Sequence, residues 1–188
     1  DGPFMLYVGT FKPYKHVDAL VRACGLLRER FRARGWKLVL VGGAPPEERV
    51  KIEALIREKG LEELVEVRPG LADDELRRHY AHARWFVTAS GYEGFGLPLL
   101  EAMAAGCPAM YHRAASMPEV VGDTGIGFDD PSPRTVAAAM GRAMDEGDAG
   151  RDARGHRARE RAEREFAPGS CAAGTWSVIR EAAGRERK

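Results

Sequence analysis

The chain has 188 residues, is 44% hydrophobic and carries a net charge of +1. That is the size of one domain with enough apolar material for a real core, and the charge balance excludes a global field aimed at nucleic acid or acidic partners. Three widely spaced cysteines (Cys24, Cys107 and Cys171) without a Cys-x-x-Cys pair argue against a metal or disulfide scaffold and for a reducing cytoplasm. The opening Asp1-Gly2-Pro3 lacks the regions of a signal peptide, and no apolar run approaches the ~20 residues of a membrane span.

Phe4–Val8 reads as a buried strand, followed by the loop Gly9-Thr10-Phe11-Lys12-Pro13-Tyr14-Lys15-His16. The C-terminal edge of an open α/β sheet is where ligands bind. A glycine there permits close approach, and Lys12 and Lys15 are compact charges suited to a pyrophosphate; a charged surface turn has the same composition. No G-x-G-x-x-G follows, which speaks against a nicotinamide or flavin site. Val17, Leu20, Val21, Cys24, Leu27 and Phe31 recur at helical spacing and predict one core-facing helix over 17–31.

Lys37–Val41 is the second strand, closed by Gly42-Gly43, which either leave room for a ligand or turn the chain. Pro45-Pro46 opens a helix that aims Val50, Ile52, Leu55 and Ile56 at the core and stops at Gly60. Leu64–Val67 is the third strand, and Arg68–Leu71 the loop after it. Asp73, Asp74 and Glu75 supply first-turn acids to the next helix. His79 and His82 on that helix have metal-ligand spacing without a third ligand and read as surface or groove residues.

Trp85–Ser90 is the fourth strand and Cys107–Tyr111 the fifth. Glu119, just ahead of Val120-Val121-Gly122, is either a helix first-turn acid or a site residue; Gly125–Phe128 is a last short strand. Val136, Met140 and Met144 form a core stripe on the helix after it. Residues 151–165 hold six arginines and four acids, interleaved as in a solvated helix with i,i+4 pairs. Phe166-Ala167-Pro168 breaks that helix, and a last one, about 169–183, carries Trp176 and Ile179.

The most informative stretch is Tyr92-Glu93-Gly94-Phe95-Gly96-Leu97-Pro98-Leu99-Leu100-Glu101-Ala102-Met103. Gly94 and Gly96 allow a tight loop with bare amides, and Pro98 fits the first turn of a helix that ends near Gly106. Free N–H groups at a helix start, with the dipole behind them, suit a phosphate. Carboxylates do not attract phosphates, so Glu93 and Glu101 make sense as acceptors for hydroxyls on the same ligand. A nucleoside diphosphate sugar offers both; a solvated loop acid and a first-turn acid would leave the same spacing.

The run Glu-Gly-Phe-Gly-Leu-Pro-x-Leu-Glu-Ala-Met-Ala-x-Gly-x-Pro, through Pro108 and with seven residues between its two glutamates, resembles the donor-binding motif of the retaining, GT-B fold glycosyltransferases called family 4. The resemblance covers the chain from end to end as the C-terminal domain of such enzymes. It implies that Glu93 holds donor-sugar hydroxyls, Glu101 the ribose diol, and the loop amides of Gly94, Phe95 and Gly96 the phosphate, with Leu97 also in the donor site. It places Lys15, with Gly9, Thr10 and Lys12 around it, at the diphosphate, and Gly70 and Leu71 near the base, where a mere turn is the alternative. Many members carry an arginine at position 10 or 14; this chain has Thr10 and Tyr14.

The expected fold is an α/β, Rossmann-like three-layer sandwich with a mostly parallel sheet of about six strands, one half of a GT-B enzyme. The expected domain is single, over 1–188, with the last helix packing toward an absent N-terminal domain. The implied function is retaining, metal-independent transfer of a glycosyl group from a nucleotide diphosphate sugar to an acceptor glycan, lipid or small molecule, in polysaccharide or glycoconjugate biosynthesis. No cofactor, no metal, no nucleic acid and at most a peripheral contact with the inner face of the membrane are expected. The alternatives are a non-catalytic nucleotide- or sugar-binding module, or another GT-B enzyme such as a phosphorylase or a nucleotide-sugar epimerase.

Overall fold

The computed structural model describes residues 2–42, 44–167, 169 and 180. Its centre is a sheet of six strands: β1 (Phe4–Gly9), β2 (Lys37–Gly42), β3 (Val65–Arg68), β4 (Trp85–Thr88), β5 (Ala109–His112) and β6 (Ile126–Phe128). The order is β3-β2-β1-β4-β5-β6, and every pairing is parallel, as in a doubly wound α/β fold. The winding reverses between β1 and β4, and the loops leaving these two strands meet at the C-terminal edge, where folds of this kind hold their ligands.

The strands are continuous apolar runs because helices cover both faces. Met5, Tyr7, Leu38, Leu40, Trp85, Val87 and Met110 pack with residues of α1 (Val17–Leu26), α3 (Pro46–Glu58) and α7 (Pro133–Asp145). Leu6, Val39, Val41, Phe86, Ala109 and Tyr111 face the other way, toward α4 (Asp73–His82), α5 (Leu97–Ala104), α6 (Met117–Val121) and α8 (Asp148–Glu165). The stripe Val136, Met140 and Met144 is buried as its spacing predicts.

The helix expected over 17–31 is two. Leu27, at φ −104° and ψ 13°, ends α1, and α2 (Arg28–Arg34) starts in a new direction while Phe31 stays buried. Val50, expected in the core, is 59% exposed. It lies two residues from Ile52, more than half a turn round a helix whose buried face is set by Ile52, Leu55 and Ile56.

Gly42 pairs with Gly9 at the ends of β2 and β1, with φ 129°. A Cβ there would run into the Gly9 carbonyl oxygen, so this glycine serves the close approach of two strand ends. Gly43 and the last predicted helix, with Trp176 and Ile179, lie outside the described residues. No described helix is long and apolar enough to cross a membrane.

Candidate functional site

The candidate site is built from the loops after β1 and β4. The first forms a single 3-10 turn, Pro13–Lys15, and the second runs from Ala89 to the start of α5. The Gly91 amide donates to the Tyr14 carbonyl at 2.8 Å, joining the two loops. This brings Lys15 Nζ to 2.5 Å from Glu93 Oε1, across 78 residues of sequence, with side chains only 14% and 19% exposed. The Lys15 ammonium also lies 5.2 Å from the centre of the Tyr14 ring.

Beyond Glu93 the chain turns into α5. Gly96 sits at the N-cap with φ 87°, a left-handed conformation natural to glycine, and its carbonyl accepts from the amides of Leu99 and Leu100. Among the described residues, the amides of Gly94, Phe95, Gly96 and Leu97 have no protein acceptor. Pro98 contributes no N–H. Four bare donors and the positive end of a helix dipole thus follow directly on Glu93, the ion-pair partner of Lys15. The Phe95 ring is braced edge-on against Phe166, with centroids 5.7 Å apart.

Glu101, one turn into α5, accepts a hydrogen bond on Oε2 from the buried Tyr80 hydroxyl at 2.8 Å. It lines a cavity of about 440 Å³ between α4 and α5, with Asp73, Leu76, Arg77 and Tyr80. The two glutamates are held alike: each commits one oxygen to a protein donor, and among the described residues the other, Glu93 Oε2 or Glu101 Oε1, accepts from none.

Two tyrosines support these groups, Tyr7, read from the sequence only as part of a buried strand, and Tyr80, which nothing there singles out. Tyr7 lies buried near the end of β1 and donates to the Thr10 carbonyl at 2.7 Å, which fixes the loop after Gly9. Burial pushes its phenol far up, and the charge of Glu93 adds to this. Burial, then the bond to Glu101, does the same to Tyr80. Both stay neutral donors at any ordinary pH. The available signal was generic: a tyrosine in a core position must find a partner for its hydroxyl.

Other predicted residues stand apart. Lys12 is exposed and lines a groove of about 540 Å³ between α1 and α3. Gly70 is exposed, and Leu71 packs against the α4–α5 face of the core. Glu119 is an exposed first-turn acid of α6, as read. His79 bonds the Glu75 carbonyl through Nδ1 and meets Arg68 through Nε2 at 3.0 Å; His82 turns to the Arg78 carbonyl. Among the described residues no three His, Cys, Asp or Glu side chains are grouped to hold a metal ion.

The family model described as Glycosyl transferases group 1 matches residues 1–163. The chain is 38% identical over 135 residues to O-antigen chain mannosyltransferase B of Escherichia coli, a match covering 72% of this chain and 35% of that protein. It is 34% identical over 200 residues to D-inositol 3-phosphate glycosyltransferase of Kineococcus radiotolerans, covering 97% of this chain and 45% of that one. The chain therefore spans less than half the length of either curated relative. Among solved structures, sucrose-phosphate synthase of Thermosynechococcus elongatus superimposes with a TM-score of 0.84 at 29% identity, over 98% of this chain and 46% of that one. The C-terminal domain of a glycosyl transferase group 1 family protein of Francisella tularensis gives 0.77 at 22% identity, over 89% and 88%, a likeness of fold alone.

Proposed function

Since the chain belongs to the group 1 glycosyltransferases, we propose that it is the donor-binding half of a retaining glycosyltransferase that takes its sugar from a nucleotide diphosphate sugar. The observation that carries this reading is the row of four bare amides, Gly94 to Leu97, set between two glutamates that each keep one oxygen free. An anionic middle flanked by hydroxyls is the ligand such a row fits.

The division of labour follows from the donors and acceptors. The loop amides and Lys15 hold the diphosphate and stabilise the charge it gains on leaving. The Lys15 ammonium has three N–H donors, so it can face a phosphate oxygen without releasing Glu93. Glu93 Oε2 orients the sugar, and Glu101 Oε1, in the α4–α5 cavity, takes the ribose diol. The departing phosphate oxygen receives the proton of the incoming hydroxyl on the same face of the sugar, which retains the anomeric configuration. No metal takes part in this scheme. The acceptor, a glycan, lipid or small molecule, belongs to a domain outside this chain, and the reaction to the cytoplasm or its membrane face.

The test is a panel of UDP-, GDP- and dTDP-sugars screened against this chain by ligand-detected NMR, followed by calorimetric titration. Lys15→Ala and Glu93→Ala are each expected to weaken nucleotide-sugar binding by at least ~1 kcal/mol. Unchanged affinity in both variants overturns the site. Turnover is measured on the longer parent, where a non-catalytic module would bind the donor and never release the sugar.

A further inference from the structure

Glu93 sits on a stretch, residues 89–96, with no regular secondary structure of its own, yet its carboxylate is placed to 2.5 Å from Lys15. What fixes this stretch is a set of hydrogen bonds from outside it and one within. His112, the last residue of β5, brings Nδ1 to 3.0 Å from the Ser90 carbonyl oxygen. A carbonyl only accepts, so Nδ1 carries the hydrogen. The ring lies nearly flat on Phe128, with centroids 6.0 Å apart and planes 11° apart, so its direction is set twice. Ser116, at the N-cap of α6, donates from Oγ to the Glu93 carbonyl at 3.0 Å. The Gly91 amide donates to the Tyr14 carbonyl at 2.8 Å, and the Ser90 hydroxyl closes the turn onto the Tyr92 carbonyl at 2.9 Å.

We propose that His112 is a positioning residue for Glu93: with Ser116 it clamps both ends of the Ser90–Glu93 turn and so aims the carboxylate that holds the donor sugar. This rests on the reading of Glu93 as the sugar ligand. His112 acts through the Ser90 backbone. Its loss leaves the bare amides at the start of α5 in place and loosens the Ser90 end of the turn, so Glu93 keeps Lys15 but loses its aim, which costs contacts to the sugar and spares contacts to the diphosphate.

The experiment compares two probes by calorimetry: the nucleotide sugar of the UDP, GDP and dTDP panel that the natural chain binds, and the matching nucleoside diphosphate. His112→Ala is expected to weaken the sugar nucleotide about tenfold and the nucleoside diphosphate less than about twofold, the size of one hydrogen bond lost at the sugar end alone. His112→Asn restores the sugar nucleotide, because the asparagine amide reaches the place of Nδ1. His112→Gln does not, because its amide reaches the place of Nε2. Asparagine and glutamine differ mainly in where the donor sits, so the comparison holds even if alanine unfolds the chain. Equal losses for both probes, or equal rescue by Asn and Gln, overturns the proposal. If the natural chain binds no panel member, the donor reading falls by itself. The clamp is then judged by the backbone amide NMR signals of Gly91 to Gly94, which the proposal expects to move in His112→Gln and stay in His112→Asn; signals that stay in both overturn it.

Discussion

The Lys15–Glu93 pair is mostly removed from water, and removing one partner leaves the other charge buried without compensation. Lys15→Met and Glu93→Gln are each expected to cost about 1–3 kcal/mol of stability, and the double variant clearly less than the two together. Urea unfolding of the four proteins checks this; costs that add within about 0.5 kcal/mol would mean that the pair is not coupled. Tyr80→Phe removes the donor that anchors Glu101 Oε2 while keeping the ring in the core. It should weaken nucleoside diphosphate binding about three- to tenfold with little change in melting temperature, and titration with melting curves tests both halves. The places of the glutamates, one in a loop and one in a first helical turn, were legible from the two glycines and Pro98, whereas their roles were only implied by the resemblance. Their anchors were not legible. Tyr80 and His112 act 21 and 22 residues away in sequence, through pairings that only the strand order creates. Each is one polar residue in an otherwise ordinary apolar or loop pattern, so nothing local marks it.

At the scale of elements, α8 shows where a charge pattern misleads. Its interleaved signs predict a solvated helix, and the pairs Arg159–Glu163 and Arg161–Glu165, both at 2.8 Å, are as read. Two of its arginines nevertheless turn inward. Arg154 grips Glu146 through two nitrogens and lies 5.8 Å from the Trp85 ring centre. Arg161 donates to the carbonyls of Glu119 and Val120 and so caps the end of α6. Beneath them Gly155, Ala158 and Ala162 form a stripe of small residues that lets α8 come close to α5 and the turn after it. Gly155 has no room for more: a Cβ would meet the Gly106 carbonyl oxygen. Gly155→Ala therefore trades a better helix former for a backbone clash, and the clash should win by about 1–3 kcal/mol. Equilibrium urea unfolding decides it; a stabilised variant would show that the helices can slide apart at no cost. The break at Leu27 was illegible for the opposite reason, since the apolar stripe runs on through Phe31 while the backbone changes direction beneath it.

For the whole molecule, the alternation of apolar runs and helical stripes was enough to give a parallel sheet and its strands, with ends that miss by up to two residues, as at β4 and β5. It could not give the strand order, which long-range register sets. That order makes the sheet the shared wall of two helical layers, and the layers carry one described cysteine each. Cys24 lies in the α1 layer and Cys107 in the α5–α8 layer, both buried. Burial pushes each thiol up to about 12, so neither offers appreciable thiolate at pH 8 in the folded chain. Opening either layer would strip one face of every central strand, which leaves the other layer without its support. The two thiols should therefore become reactive together. In a Cys171→Ser background, labelling of Cys24 and Cys107 with a chromogenic disulfide is expected to follow one urea dependence, with the midpoint given by far-UV circular dichroism. Gly155→Ala should shift both thiols equally, although it touches only one layer. Cys107 reacting at low urea while Cys24 stays protected would mean that α5 and α8 detach on their own, and with them the loop that carries the bare amides.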